Sequence, residues 1–160
     1  MKPTNWKDIA ELVGIAAIVM GLVLVAYELR QNTMMMQSQT RDSMTEKQMM
    51  FSEWVATNKY TAEVMTLAAA GKLEPNTPEY NSFLFLNQGI FREWENSYYQ
   101  YERGLFEPEE FEPRKDRWRR VMANEPVRDY WKMSRDEYSP GFRKVLDEIF
   151  SQTGRVDDSN

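Results

Sequence analysis

The chain of 160 residues contains no histidine and no cysteine. These two absences remove a large part of protein chemistry. A Ser-His-Asp triad, a cysteine nucleophile, a histidine base and a haem histidine are all excluded, as are disulfides and zinc sites of the usual ligand sets. Basic surplus is lacking too: 20 basic against 25 acidic side chains leave a net charge of -5. Neutralising phosphates requires the opposite balance, so no nucleic-acid partner is expected. There is no phosphate-binding glycine loop, no dinucleotide fingerprint and no nucleophile elbow. Strand-like alternation of useful length and internal repeats are also missing. Finally, neither proline nor glycine occurs between Gly21 and Gly71, so nothing local interrupts a helix there.

The apolar residues that are present are unevenly spread. Residues Leu12 to Tyr27 are sixteen consecutive positions without charge. Ile9, Ala10 and Leu29 extend this to 21 positions, interrupted only by Glu11 and Glu28. At about 1.5 Å per residue that is roughly 30 Å of helix, the thickness of a bilayer's hydrocarbon core. The spacing predicts a transmembrane helix over 9–29, preceded by a short tail over 1–8. Trp6, Tyr27 and Arg30 fall at the two membrane interfaces, where amphipathic rings and long cationic side chains reach water. A signal peptide would show a basic start and small residues at a cleavage site; here Asp8 and Glu11 offset Lys2 and Lys7, and Leu24-Val25-Ala26 fits poorly. A core helix rarely stays apolar on every face for so long, and a surface-lying helix needs a polar face.

Within the span, Ala10, Gly14, Ala17 and Gly21 recur at i, i+4, i+7 and i+11, with Glu28 on the same face. In lipid, helices attract through close backbone packing, which small residues permit. This stripe is the candidate helix–helix interface, toward a second copy or another membrane protein. The alternative is a lipid-facing surface of residues common in membrane helices, with Glu28 reaching the headgroups.

Beyond residue 30 the chain reads as an all-α bundle over 30–154, followed by a disordered tail over 155–160. The membrane helix is expected to run on, with a bend near Gln31-Asn32-Thr33, into a polar stretch rich in methionine. Met34, Met35, Met36, Met44, Met49 and Met50 read as core filler and a juxtamembrane surface, or else as an adaptable partner-binding face. Phe51, Trp54, Ala62, Met65 and Ala69 follow at helical spacing, with Asn58 interrupting them. Gly71 is a helix stop, Thr77-Pro78-Glu79 a helix start, and Gly104 the next stop. The helix between carries Tyr80, Phe83, Asn87, Ile90 or Phe91, Trp94, Tyr98 and Tyr101, expected as a core seam against the Trp54 helix. Pro108 and Pro113 each suit a helix start. Val127 to Asp136 and a segment from Ser139-Pro140 to Gly154 complete the bundle, the latter burying Phe142, Val145, Leu146, Ile149 and Phe150.

Between 114 and 120 lie five basic residues in seven: Arg114, Lys115, Arg117, Arg119 and Arg120. They are candidates for contact with anionic lipid headgroups, or a solvated face neutralised by the acids just upstream. Glu93, Glu95 and Glu102 beside Tyr98, Tyr99 and Tyr101 invite a two-metal reading, but helix-bundle sites of that kind use Glu-x-x-His and no histidine exists. No residue is assigned a catalytic, cofactor-binding or metal-binding role, and no cofactor is expected.

Two stretches carry a resemblance in combination. One is Tyr27-Glu28-Leu29-Arg30-Gln31-Asn32-Thr33 at the end of the span. The other runs from Tyr98-Tyr99-Gln100-Tyr101-Glu102-Arg103-Gly104-Leu105 through Trp118 and Pro126-Val127-Arg128-Asp129-Tyr130-Trp131 to Tyr138-Ser139-Pro140-Gly141-Phe142-Arg143. Together they resemble a widespread group of uncharacterised small bacterial single-pass membrane proteins. That group has a span ending in R-Q-N-T, a late tryptophan and an S-P-x-F-R helix start. The resemblance implies a bacterial inner-membrane protein. Members often carry basic residues just after R-Q-N-T, which implies a cytoplasmic C-terminal domain; here Met34, Met35 and Met36 stand in that region. The expected function is that of a membrane-anchored helical interaction protein without catalytic activity, self-associating or docking on partners. The alternatives are an accessory subunit of a larger membrane complex, or a ligand binder or enzyme using an aromatic-lined pocket. A sealed interior around Trp94 would count against the last.

Overall fold

A computed structural model describes residues 5–153; Lys2, Gly154 and the tail over 155–160 lie outside them. The described residues form six α-helices and one short 3-10 turn, with no strand among them, so the architecture is all-α. The helices are α1 (Trp6–Thr57), α2 (Lys59–Ala69), α3 (Pro78–Glu102), α4 (Pro108–Met122), α5 (Glu125–Ser134) and α6 (Pro140–Thr153). The chain divides into two compact units, Met1–Thr40 and Arg41–Asn160.

The first unit is helix alone. Every residue from Asn5 to Met36 is exposed. The most apolar 18-residue stretch has a mean hydropathy of 2.6 and none of it is buried. This helix is long and apolar enough to cross a membrane. A core helix of a soluble domain passes the same test of length and composition, but it does so with its apolar side chains covered. Helical hydrogen bonding runs through Gln31-Asn32-Thr33 without a break, and the Thr33 hydroxyl donates to the Leu29 carbonyl at 3.0 Å.

The second unit is a helical domain. Helix α1 ends at Thr57 because Asn58 leaves helical geometry (φ -95°, ψ 102°) and caps α2, accepting the Thr61 N–H at 3.1 Å. This break resets the helical phase. The expected stripe of Ala62, Met65 and Ala69 is therefore exposed, and Thr61, Val64 and Ala68 are buried instead. Gly71 (φ 64°) ends α2 in the left-handed region that glycine enters freely, and the Lys72 N–H closes back onto the Leu67 carbonyl at 2.9 Å. Gly104 (φ 71°) ends α3 the same way. Thr77 caps α3 with Pro78 at its first position, as the sequence predicts.

Two sequence expectations need correction here. Pro113 does not start a helix; it lies inside α4, whose start is Pro108. It sits near enough to the N-terminus that the hydrogen bond it forgoes is one of the first in the ladder. Val127 to Asp136 is likewise two elements, α5 from Glu125 and a 3-10 turn over Arg135–Glu137.

The core is built on aromatic rings of α3 to α6. Phe91 lies 4.8 Å from Trp94, 5.2 Å from Tyr130 and 5.6 Å from Trp131, between ring centres. Trp94 stacks on Trp118 at 5.3 Å, and Trp118 meets Phe142 edge-on at 6.0 Å. The rings of α3 from Phe91 onward thus pack against α4, α5 and α6, while Phe83 and Leu86 share the core with Val64 and Ala68 of α2; of the last turns of α1, Phe51 is half-buried against this core and Trp54, expected in the seam, is 46% exposed. The physical reason is supply. The last turns of α1 offer Phe51 and Trp54, while α4 to α6 present buried Trp118, Trp131 and Phe142. Of the six methionines expected as core filler and juxtamembrane surface, or else as a partner-binding face, Met44 is buried and the other five are exposed.

Candidate functional site

A mostly apolar groove in the helical domain has a volume of about 670 Å³, within the range of ligand sites. It is lined from four helices: the last turns of α1, the start of α2, the middle of α3 and the outer face of α4. Its two ends are marked by polar side chains from neighbouring helices. At one end the Tyr60 and Ser82 hydroxyls lie 3.2 Å apart. At the other, Gln48 of α1 and Glu93 of α3 line the groove together. From Ser82 to Glu93 the groove follows about three turns of α3, roughly 16 Å.

The lining between those ends is apolar. Leu86 and Trp94 are nearly covered, whereas Phe85 is 74% exposed and Trp54 is about half-exposed. The interior at Trp94 is therefore not sealed. Gly89 lies on the same side of α3, one turn from both Phe85 and Glu93. A Cβ built there meets nothing within 4 Å.

The Glu93 end is polar and mostly cationic. Arg114 approaches the Glu93 carboxylate at 3.7 Å, and Ser97 donates to it at 3.1 Å. Burial raises the Glu93 pKa; Ser97, Arg114, Arg117 and Gln48 oppose the rise without cancelling it. Burial also lowers the Arg114 pKa, with Glu93 working against the shift. Arg114 further covers the Phe106 ring at 4.9 Å. Lys47 and Arg117 line the same end, and neither makes an ion pair among the described residues.

The basic run on α4 is split by Trp118, which points into the core. Arg114 turns to Glu93, Lys115 pairs with Glu112 at 2.6 Å, and Arg119 pairs with Asp116. Arg117 faces the groove and Arg120 is exposed. The structure thus does not gather these five on one face. The acids on α3 are likewise separated: Glu93 lies in the groove, Glu95 turns to α6 and Glu102 is exposed. No grouping of three or more such side chains among the described residues is arranged to hold a metal ion.

In the first unit Ala10, Gly14, Ala17, Gly21 and Glu28 lie on an exposed helix, as do Trp6, Tyr27 and Arg30. Nothing lies within 4 Å of where a Cβ at Gly14 or Gly21 would be.

Sequence reasoning did not find the groove. Its one local trace is on α3, where Phe85 and Gly89 stand four apart beside, not on, the buried face. A glycine inside a helix costs about 1 kcal/mol against alanine, so it invites a packing or functional explanation.

No protein-family model, no curated protein and no solved structure matches this chain.

Proposed function

We propose that this protein is a membrane-anchored helical interaction protein without catalytic activity. Its N-terminal helix crosses a bacterial inner membrane, and its helical domain is tethered on the cytoplasmic side to meet a partner there. The observation that carries the reading is the exposure of the whole apolar stretch. Leaving Leu12, Ile18, Leu22 and Leu24 each at least 60% exposed in water is unfavourable. Each such side chain gains about 1.5–3 kcal/mol on leaving water, and a bilayer removes all of them at once. The cytoplasmic orientation draws on the resemblance described above, since basic residues flank the span almost equally on both sides.

Alkaline carbonate extraction of the full-length chain tests the anchor. The uncleaved protein is expected in the membrane pellet; release into the supernatant, or loss of the first 30 residues, overturns the reading. A reporter fused after Asn160 that is active only outside the cytoplasm is expected to stay silent. Crosslinking in native membranes then identifies the partner of the helical domain.

A further inference from the structure

We propose that the groove between α1, α2, α3 and α4 is a binding site for a single-chain amphiphile with an anionic head. The inference rests on the groove alone and does not depend on insertion of the N-terminal helix.

Three independent features of the groove converge on this ligand class. The first is its polarity along its length. Lys47, Arg114 and Arg117 against Glu93 leave a cationic surplus at one end, and the other end carries uncharged polar side chains, Asn58, Tyr60, Thr61 and Ser82. Arg114 is committed to Glu93, which leaves Lys47 and Arg117 to meet an anionic head. The second is its dimension: an apolar trough of roughly 16 Å suits one extended alkyl chain better than a folded polar metabolite. The third is Gly89. Among the described residues nothing comes within 4 Å of a Cβ built there, which leaves the helix backbone bare along the trough. Phe85 and Trp54 are the apolar side chains such a chain would cover.

A carboxylate and the phosphodiester of a lysophospholipid present the same chemistry to Arg117 and Lys47: anionic and accepting several hydrogen bonds. A fatty acid and a lysophospholipid are thus the two sources to distinguish.

The test uses the full chain in phosphatidylcholine proteoliposomes with a photoactivatable palmitate. Crosslinks mapped by mass spectrometry are expected on the groove peptides holding Trp54 and Phe85, and to saturate. Unlabelled palmitate and lysophosphatidylglycerol compete, the one effective at lower concentration identifying the head; hexadecanol, which lacks the charge, does not. Gly89→Phe fills the trough from a position with open space and raises helix propensity, so it folds. It is expected to reduce groove labelling at least about fivefold, equivalent to roughly 1 kcal/mol. Arg117→Gln reduces it without changing the apolar trough. The proposal is overturned if labelling is confined to 9–29, if hexadecanol competes as well as palmitate, if Gly89→Phe labels like the parent, or if a co-purifying polypeptide occupies the groove. Labelling of 9–29 by the bilayer reports anchoring separately, so failure of either proposal is visible without the other.

Discussion

The bond between Glu95 and the start of α6 offers the sharpest test of the packing argument. One Glu95 oxygen accepts the Ser139 backbone N–H at 2.7 Å, and the other accepts from Arg92 at 2.8 Å. The Ser139 bond joins residues 44 apart in sequence and sets a carboxylate at the N-terminus of α6, where the helix dipole favours it. The Arg92 contact is a partly exposed i,i+3 pair, worth only about 0.3–0.5 kcal/mol. Hydrogen bonds to charged groups contribute about 1.5–3 kcal/mol, and the partial exposure of Glu95 places this one at the lower end. Glu95→Gln keeps an acceptor and loses the charge, so it should cost about 1 kcal/mol, and Glu95→Ala about 1.5–2 kcal/mol.

The pH dependence carries the sign. Burial alone would raise the Glu95 pKa, but the hydrogen bonds from Ser139 and Arg92 and the Arg92 charge outweigh it and hold the carboxyl below its ordinary value of 4.5. A depressed acid contributes stability that is fully present above its unfolded pKa and is lost as pH falls through the folded one. Urea unfolding of the full-length protein in micelles, followed by circular dichroism, should therefore show a constant gap between parent and Glu95→Gln above about pH 5 that narrows below it. Asp147 is also held low, chiefly by hydrogen bonding from Arg135, but it is common to both proteins and cancels in the difference. A gap of the same size at pH 7 and pH 3.5 would refute the reasoning.

Four further outcomes are expected. Trp118→Ala removes a ring stacked on Trp94 and edge-on to Phe111 and Phe142, and should destabilise the domain by about 3–5 kcal/mol. Trp54→Ala, at a half-exposed ring, should cost about 1 kcal/mol or less in the same chemical denaturation, and equal costs would contradict the placement of the core. Gly141→Ala sets a Cβ 2.6 Å from the Tyr98 hydroxyl and should lower the melting temperature, with Tyr98→Phe in the same chain recovering part of the loss; no recovery would mean the hydroxyl is not the obstacle. Gly14→Leu or Gly21→Leu should leave membrane insertion intact and, where the small-residue face seats another helix, reduce association measured in detergent. Unchanged association in both variants would mean that this face meets lipid.

By itself, the sequence determined what depends on neighbours within a turn or two. The apolar run marks the helix that can cross a membrane. Gly71 and Gly104 end helices because the chain turns left-handed there, and Thr77-Pro78, Pro108 and Pro140 open them because a missing N–H does no harm at that position. Tertiary structure alone decided which faces are covered. Asn58 reads in sequence as a polar interruption of one stripe, yet it is a cap that rotates everything after it, moving burial from Met65 to Val64. The rings of α3 could pack to either side. They turned to Trp118, Trp131 and Phe142 because more apolar area lay there, and this left Trp54 and Phe85 bordering an open groove. Burial is a property of surfaces that meet across tens of residues, and a periodicity of 3.6 gives no indication of what will stand opposite.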